Sequence, residues 1–228
     1  MKIEKRREFI KKYSAETVIK ELAPYVTDRR KARIDDVLTH RLGSIQLAIE
    51  SPSDINNALA TIRSCEALGI STIHIIHPEG DAGSIHMTTQ GAFYWVDIIY
   101  YDSLDAFLEK IKQKNYLLAG GIVDANVTLT DIPIEKPICL IFGNEQRGLS
   151  QETRAACDFL FSITMVGMSE SFNLSVSAAI SLYDTSQRKR QALPTKGDLS
   201  PSQQTTARAH FYMNSVKTRL IEGLLDNR

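Results

Sequence analysis

An arginine and an asparagine stand out in a mostly apolar segment of this chain of 228 residues. Arg63 follows Asn57 in a predicted helix at 57–68, about 600° further round it at ~100° per residue. A buried or half-buried arginine usually binds a carboxylate or a phosphate. Asn57 also has a simpler explanation, because asparagine is a good helix cap. The pair is therefore a candidate for binding or catalysis.

Two further polar groups adjoin apolar elements. Glu145 follows a predicted strand directly after Gly143 and Asn144, and Ser171 and Asn173 open a long predicted helix. Asn173, like Asn57, could simply cap its helix. Both groups nevertheless offer acceptors and donors where strands end, which is where open parallel sheets bind their ligands.

Glycines mark the same places. Gly120 and Gly121 interrupt one predicted strand, Gly143 follows the next, and Gly167 follows the last. Glycine allows a ligand to approach the backbone closely, although a single glycine more often serves only a turn. Their clustering at successive strand ends indicates a binding site.

Several common motifs are absent or incomplete. The loop from Gly143 to Gly148 has the spacing of a phosphate-binding loop, but Leu149 stands where its lysine would be, which excludes a nucleoside triphosphatase. Ser171 replaces the last glycine of a nucleophile elbow. The three cysteines form no C-x-x-C pair, and no histidine pair suits a metal, so we expect no metal site.

Apolar runs and helical patterns alternate through the middle of the chain. Strands are predicted at 45–50, 72–77, 96–101, 116–123, 138–142 and 159–164, and helices at 3–22, 28–42, 57–68, 87–94, 103–114, 150–156, 173–190 and 201–225. This alternation is typical of an α/β fold: a mostly parallel sheet with helices on both faces, here with helical extensions at both ends.

Charge is distributed unevenly. The whole chain has 27 basic and 27 acidic residues, but residues 1–41 hold 12 basic and 7 acidic, 42–182 hold 7 and 16, and 183–228 hold 8 and 4. Basic ends of this kind are compatible with a polyanion or with solvated helices. Arg30, Arg33 and Arg41 are predicted within about 80° of each other on one helical face, which could bind phosphates.

Composition excludes other classes of protein. With 43% hydrophobic and 24% charged residues, the chain is neither disordered nor a disulfide scaffold. No apolar run reaches the roughly 18 residues that a membrane span needs. The N-terminus lacks the apolar core of a signal peptide, so we expect a cytoplasmic protein without a membrane partner.

The three polar groups, in this order, resemble motifs 1, 2 and 3 of the SpoU family of RNA ribose methyltransferases, within the SPOUT class. The similarity is greatest to the TrmH branch, whose members methylate a tRNA D-loop guanosine. It rests on Asn57-x5-Arg63-x5-Gly69, on Leu140-Ile141-Phe142-Gly143-Asn144-Glu145-x-x-Gly148-Leu149-Ser150, and on Ile163-x-Met165-x-Gly167-Met168-x-x-Ser171-x-Asn173-x-Ser175-Val176-Ser177. The basic helix at 30–41 also resembles the N-terminal extension of that branch.

The resemblance implies a fold and a cofactor. It implies a trefoil knot in the C-terminal part of the domain and a homodimer whose subunits pair beside the cofactor. The cofactor would be S-adenosyl-L-methionine (AdoMet), which becomes S-adenosyl-L-homocysteine. By position, Gly120, Ile163 and Phe172 match the family's cofactor-binding residues, and Gly143 and Met168 are expected to line the same pocket.

The resemblance also implies roles for the polar groups. A ribose 2′-hydroxyl is protonated at neutral pH, so it must be held in line with the methyl group and its developing charge must be stabilised. Arg63 resembles the family's catalytic arginine and would supply that positive charge. Asn57, Glu145, Ser171 and Asn173 would orient Arg63, the ribose and the cofactor.

The sequence differs from the family pattern at two places, and we expect three regions along the chain. Asp54-Ile55-Asn56 stands where relatives have Lys-Pro-His, and Thr164 stands where they have proline. We expect a basic extension at 1–43, a methyltransferase domain at 44–190, and a linker with a C-terminal helix at 191–228. The alternatives are methylation of rRNA or of another tRNA nucleotide, and a non-catalytic homodimer that binds RNA or AdoMet.

Overall fold

The structure, a computed structural model, describes residues 3–77 and 91–225. The chain divides into two compact units, one formed by Leu42–Thr195 and the other by Met1–Arg41 together with Lys196–Arg228. Half of the helix predicted at 87–94 lies outside the described residues. Its described end is a short 3₁₀ turn at Ala92–Tyr94.

The elements alternate as the sequence predicts. In the described residues the strands are β1 (Ile45–Glu50), β2 (Thr72–Ile76), β3 (Asp97–Tyr101), β4 (Leu117–Gly121), β5 (Val127–Thr128), β6 (Ile138–Phe142) and β7 (Phe159–Ser162). The α-helices are α1 (Ile3–Tyr13), α2 (Ala15–Leu22), α3 (Asp28–Thr39), α4 (Ile55–Ala67), α5 (Leu104–Gln113), α6 (Gln151–Ala156), α7 (Leu174–Ala192), α8 (Pro201–Ser215) and α9 (Thr218–Leu225).

The strands form one parallel sheet in the order β3-β2-β1-β6-β4-β7-β5. All residues of β1 and β6 are buried, as expected for central strands that are covered on both faces. Helices α4 and α7 pack together and against β-strands, whereas Phe107 and Ile111 of α5 join a core cluster with Ala48 and Ile141. The predicted α/β architecture, with helices flanking a parallel sheet, is confirmed.

The residues at which α4 and α7 begin determine where Asn57 and Asn173 lie. Asp54, rather than Asn57, caps α4, because its side chain accepts from the backbone N–H of Asn56. The alternative role of Asn57 as a cap is therefore wrong. Asn173 does cap α7, accepting from the backbone N–H of Ser175 at 2.8 Å.

The unit built from the two chain ends is helical, but its helices are shorter than predicted. The predicted helix 3–22 breaks at Ser14, whose φ is 64°, and the predicted helix 201–225 is interrupted between α8 and α9. Within this unit α2 packs against α1, α8 and α9.

The position of Arg41 contradicts the predicted basic face on α3. It lies beyond the end of α3 and is only 2% exposed. Its guanidinium carbon lies 5.6 Å from the ring centre of Phe211 in α8. Arg30 and Arg33 are exposed, and Arg33 pairs with Asp36 at 2.8 Å. Because Arg41 is buried, it cannot share a phosphate-binding face with the other two arginines.

Candidate active site

A chain of side-chain hydrogen bonds joins the three polar groups. Asn57 Nδ2 donates to Glu145 Oε1 at 2.8 Å. Asn173 Nδ2 donates to Asn57 Oδ1 at 3.0 Å. The first turns of α4 and α7 and the loop after β6 thus meet at Asn57, which uses its amide as both donor and acceptor.

Glu145 has three further donors. The backbone N–H and the hydroxyl of Ser53 donate to its Oε2 at 3.0 and 2.7 Å, and the backbone N–H of Asp54 lies 3.4 Å from Oε1. Burial raises the pKa of this carboxyl, but the hydrogen bonds from Ser53 and Asn57 outweigh burial and lower the pKa to about 2. A carboxylate with so low a pKa is a poor proton acceptor, so Glu145 is suited to orient its neighbours.

The loop at 143–150 is narrow and held across its neck. Asn144 and Gly148 exchange backbone hydrogen bonds at 3.1 and 2.8 Å. A Cβ on Gly143 would lie 2.1 Å from the carbonyl of Gly148, so only glycine fits there. The side chain of Asn144 accepts from the backbone N–H of Gln146 at 2.9 Å. The loop therefore has a fixed backbone course.

A cavity of about 890 Å³ opens beside this loop. It lies at the ends of the neighbouring strands β4, β6 and β7. Its wall combines aromatic and apolar side chains with carboxylates and amides, from Gly121, Ile122, Val123, Asp124, Phe142, Gly143, Asn144, Glu145, Gln146, Arg147, Gly148, Leu149, Arg154, Phe161, Ile163, Met165, Glu170, Ser171, Phe172, Asn173, Leu174 and Ser177. Its volume falls in the range of small-molecule sites.

The structure separates the predicted cofactor residues into two groups. Gly143, Ile163 and Phe172 line the cavity. Gly120 does not: a Cβ there would lie 2.9 Å from side-chain atoms of neighbouring core residues, so this glycine serves packing, and its neighbour Gly121 lines the cavity instead. Met168 does not line it either, since its side chain is fully exposed.

Arg63 differs from the expectation of a half-buried arginine. Its side chain is exposed, although the residues before it, Thr61 and Ile62, are fully buried. In the part of the chain that the structure describes, the Arg63 side chain makes no hydrogen bond or ion pair. Arg63 therefore lies on the solvent-exposed side of α4 and does not line the cavity.

Sequence reasoning missed Ser53, Asp124 and Glu170. Ser53 binds Glu145, and the two acidic residues line the cavity. All three lie in loops, and Ser53 follows β1 so closely that the rule of ligands at strand ends could have indicated it.

The described residues form neither a metal-binding cluster nor a membrane-spanning helix. Residues 3–77 and 91–225 contain no group of three or more His, Cys, Asp or Glu side chains that could hold a metal ion. In those same ranges no helix is long and apolar enough to cross a membrane.

Comparison with known proteins defines the class. Residues 44–183 match the SpoU rRNA Methylase family, and the chain belongs to that family, as its motifs predict. It is 28% or 29% identical to several relatives named tRNA (guanosine(18)-2'-O)-methyltransferase; the one from Borreliella burgdorferi is 29% identical over 90% of this chain and 95% of its own length.

Solved structures share the fold. The A. aeolicus TrmH/SpoU tRNA modifying enzyme superimposes with a TM-score of 0.70 at 27% identity, over 83% of this chain and 98% of that chain. The SpoU methyltransferase AviRb from Streptomyces viridochromogenes, in complex with the cofactor AdoMet, gives a TM-score of 0.60 at 23% identity over 67% and 62% of the two chains.

Proposed function

We propose that this protein transfers a methyl group from AdoMet to the 2′-hydroxyl of a tRNA guanosine. One observation carries the proposal: motifs 1, 2 and 3 of the family meet in the hydrogen-bonded chain Glu145–Asn57–Asn173, beside a cavity of cofactor size. The names of the relatives and the SpoU family membership support the RNA substrate. Guanosine in tRNA follows the names of the relatives reported above, whereas a relative from Nitrosomonas europaea is named for 23S rRNA and supports the rRNA alternative.

The cavity suits AdoMet chemically. AdoMet carries a positive sulfonium, a flat adenine ring and a polar amino-acid end. Asp124 and Glu170 offer negative charge, and Phe142 and Phe172 offer apolar surface for a ring. Gly121 and Gly143 also line the cavity, with the Phe142 ring and the Gly148 backbone packed closely against them. When bound there, AdoMet supplies an electrophilic methyl group.

Arg63 is the residue that we expect to act on the ribose. Its exposed, positively charged guanidinium can stabilise negative charge as it develops on the 2′-oxygen. It can also bind a phosphate beside that ribose. Glu145 holds Asn57, and Asn57 holds Asn173, so that the start of α7 and the neighbouring Ser171 keep one position.

Further parts of the proposal concern the surface. Arg30 and Arg33 of α3 are exposed and are proposed RNA contacts, whereas the buried Arg41 is withdrawn from that set.

A homodimer is supported by large apolar side chains that are exposed on and before α7: Val166 at 99%, Met168 at 101%, Val176 at 43% and Tyr183 at 60%. A second copy of the chain would bury them.

The trefoil knot is proposed from the family resemblance. Stretching the chain from both ends after unfolding tests for the knot, because a tightened knot leaves a contour length shorter than the full ~3.6 Å per residue.

We also propose that the chain consists of a basic extension at 1–43, a methyltransferase domain at 44–190 and a linker with a C-terminal helix at 191–228, and that the protein is cytoplasmic.

Transfer of labelled methyl groups from AdoMet tests the activity. The acceptors are total tRNA and rRNA from cells that lack the corresponding methyltransferases, followed by nucleoside analysis. We expect 2′-O-methylguanosine in tRNA alone. Label in rRNA would favour the rRNA alternative. Binding of AdoMet without label in either RNA would contradict an RNA methyltransferase and favour a non-catalytic binding protein.

A further inference from the structure

Two consecutive residues at the end of β1 hold both ends of the loop 143–150. The Glu50 carboxylate accepts from the backbone N–H and the hydroxyl of Ser150 at 3.0 and 2.7 Å, and from the Thr153 hydroxyl at 2.7 Å. The backbone carbonyl of Ser51 accepts from Asn144 Nδ2 at 2.8 Å. Both ends of the loop are therefore bound to the carboxyl end of β1.

Glu50 is an unusual residue for this place in the fold. It is only 7% exposed, on a strand whose other residues are all buried. An unpaired buried carboxylate is strongly unfavourable, and here three donors offset its lost hydration. All three come from Ser150 and Thr153, at the start of α6, so the carboxylate fixes where the loop runs into that helix.

The position of Ser150 matters to the cavity because the loop is stiff. Leu149, directly before Ser150, lines the cavity, as do Gly148 and Gly143. A Cβ on Gly143 would lie 2.1 Å from the backbone of Gly148, and Asn144 and Gly148 exchange two backbone hydrogen bonds, so the two ends of the loop are tightly joined. A displacement at Ser150 is therefore passed to the backbone that lines the cavity.

We propose that Glu50 is a positioning residue for the cofactor site. It does not line the cavity but acts through Ser150, by holding the loop 143–150 in the shape that accepts the cofactor. The inference rests on the proposed function, in which this cavity binds AdoMet.

Glu50→Met tests the inference, because methionine keeps the length of the side chain and removes both carboxylate oxygens. The matched control is Gln46→Met. Gln46 is 4% exposed, lies on the same face of β1 at its other end, and contacts Tyr116 and His74 at 3.0 and 2.8 Å, away from the loop. Both variants lose buried hydrogen bonds, so both should melt at lower temperature.

Only Glu50→Met should lose affinity for AdoMet, by about tenfold in Kd by titration calorimetry, with kcat at saturating AdoMet changed less than about twofold. Glu50→Gln, which keeps one acceptor oxygen, should recover part of the affinity. Equal AdoMet affinity in Glu50→Met and Gln46→Met would overturn the inference and leave Glu50 a purely structural residue.

A second variant covers the case in which Glu50→Met does not fold. Thr153→Val removes one donor to Glu50 and keeps the shape of the side chain. We expect a smaller loss of AdoMet affinity in the same direction, and an unchanged Kd would contradict the inference. Failure of the unsubstituted chain to bind AdoMet would contradict the proposed cofactor itself and this inference with it.

Discussion

Asn173 and Asn57, which are 116 positions apart in the chain, share a hydrogen bond of 3.0 Å between their side-chain amides. It ties the start of α7 to the first turns of α4. Since Asn57 also donates to Glu145 at 2.8 Å, the site depends on a line of contacts in which each residue orients the next. The predictions below probe that line, the loop beside it and the surfaces around it.

Arg63→Ala should reduce methyl transfer by at least about 100-fold, the cost of removing one group that stabilises charge in a transition state. AdoMet affinity and melting temperature should stay unchanged, because Arg63 is exposed and its side chain makes no hydrogen bond or ion pair within the described residues. Lys112→Ala, which removes an exposed cation from α5, is the control and should retain full activity. Loss of AdoMet binding in a folded Arg63→Ala protein would contradict the assigned role.

The low pKa of Glu145 predicts how Glu145→Gln depends on pH. A carboxyl whose pKa falls from 4.5 unfolded to about 2 folded stabilises the folded state above pH 4.5. That stabilisation is lost as the pH falls through 2. The melting temperatures of the unsubstituted chain and of Glu145→Gln should therefore differ at pH 6 and converge toward pH 2. Glu152→Gln, at an exposed residue of α6, is the control for general charge effects.

Gly143→Ala should abolish AdoMet binding. Its Cβ would lie 2.1 Å from the backbone of Gly148, so the loop must open. Gly223→Ala is the control, because nothing lies within 4 Å of a Cβ at that helical position. The control should gain up to about 1 kcal/mol in unfolding free energy. Normal AdoMet affinity in Gly143→Ala would show that the loop does not shape the cofactor site.

Tyr183→Glu should convert the proposed dimer into a monomer, as measured by sedimentation. Tyr183 is 60% exposed on α7 and lines a second cavity with Ile180. A charge there is costly to bury between two subunits. Tyr25→Glu, at a similarly exposed tyrosine of 49%, is the control. A monomeric unsubstituted chain would refute the homodimer.

Replacing Arg30 and Arg33 together by glutamate should weaken tRNA binding and lower its salt dependence. Each lost phosphate contact reduces the slope of log K against log salt by about 0.7 to 0.9. Arg41 is buried and is not part of this test. An identical salt slope in the double variant would indicate that these arginines only solvate α3.

The sheet was largely predictable from the sequence. The strands β1 and β6 begin and end where their apolar runs do, because central parallel strands are buried on both faces. The break at Ser14 was not predicted: Ser14 has a φ of 64° and caps α2, where its side chain accepts from the backbone N–H of Thr17. Arg63 was expected to be buried or half-buried because the residues around it in the sequence are apolar, and that expectation was wrong, since only the orientation of α4 shows that Arg63 is exposed.

The sequence predicted most residues of the site, but few of the hydrogen bonds between them. The three polar groups do meet, as strand ends of one parallel sheet must. That Asp54 and not Asn57 caps α4 depends on where the helix begins, which a sequence defines only to within a few residues. The contact between Ser53 and Glu145 joins distant segments and is invisible to local patterns.

The pairing of β1 with β6 also has a consequence for biosynthesis. Ile45 lies opposite Ile138, so the middle of the sheet cannot close until the ribosome has made the intervening chain. At ~5–20 residues per second this takes about 5 to 20 seconds. Throughout that interval the nascent polypeptide carries β1 with an open edge, which is a template for wrong pairing with other chains. Chaperone demand should therefore peak before residue 142 emerges.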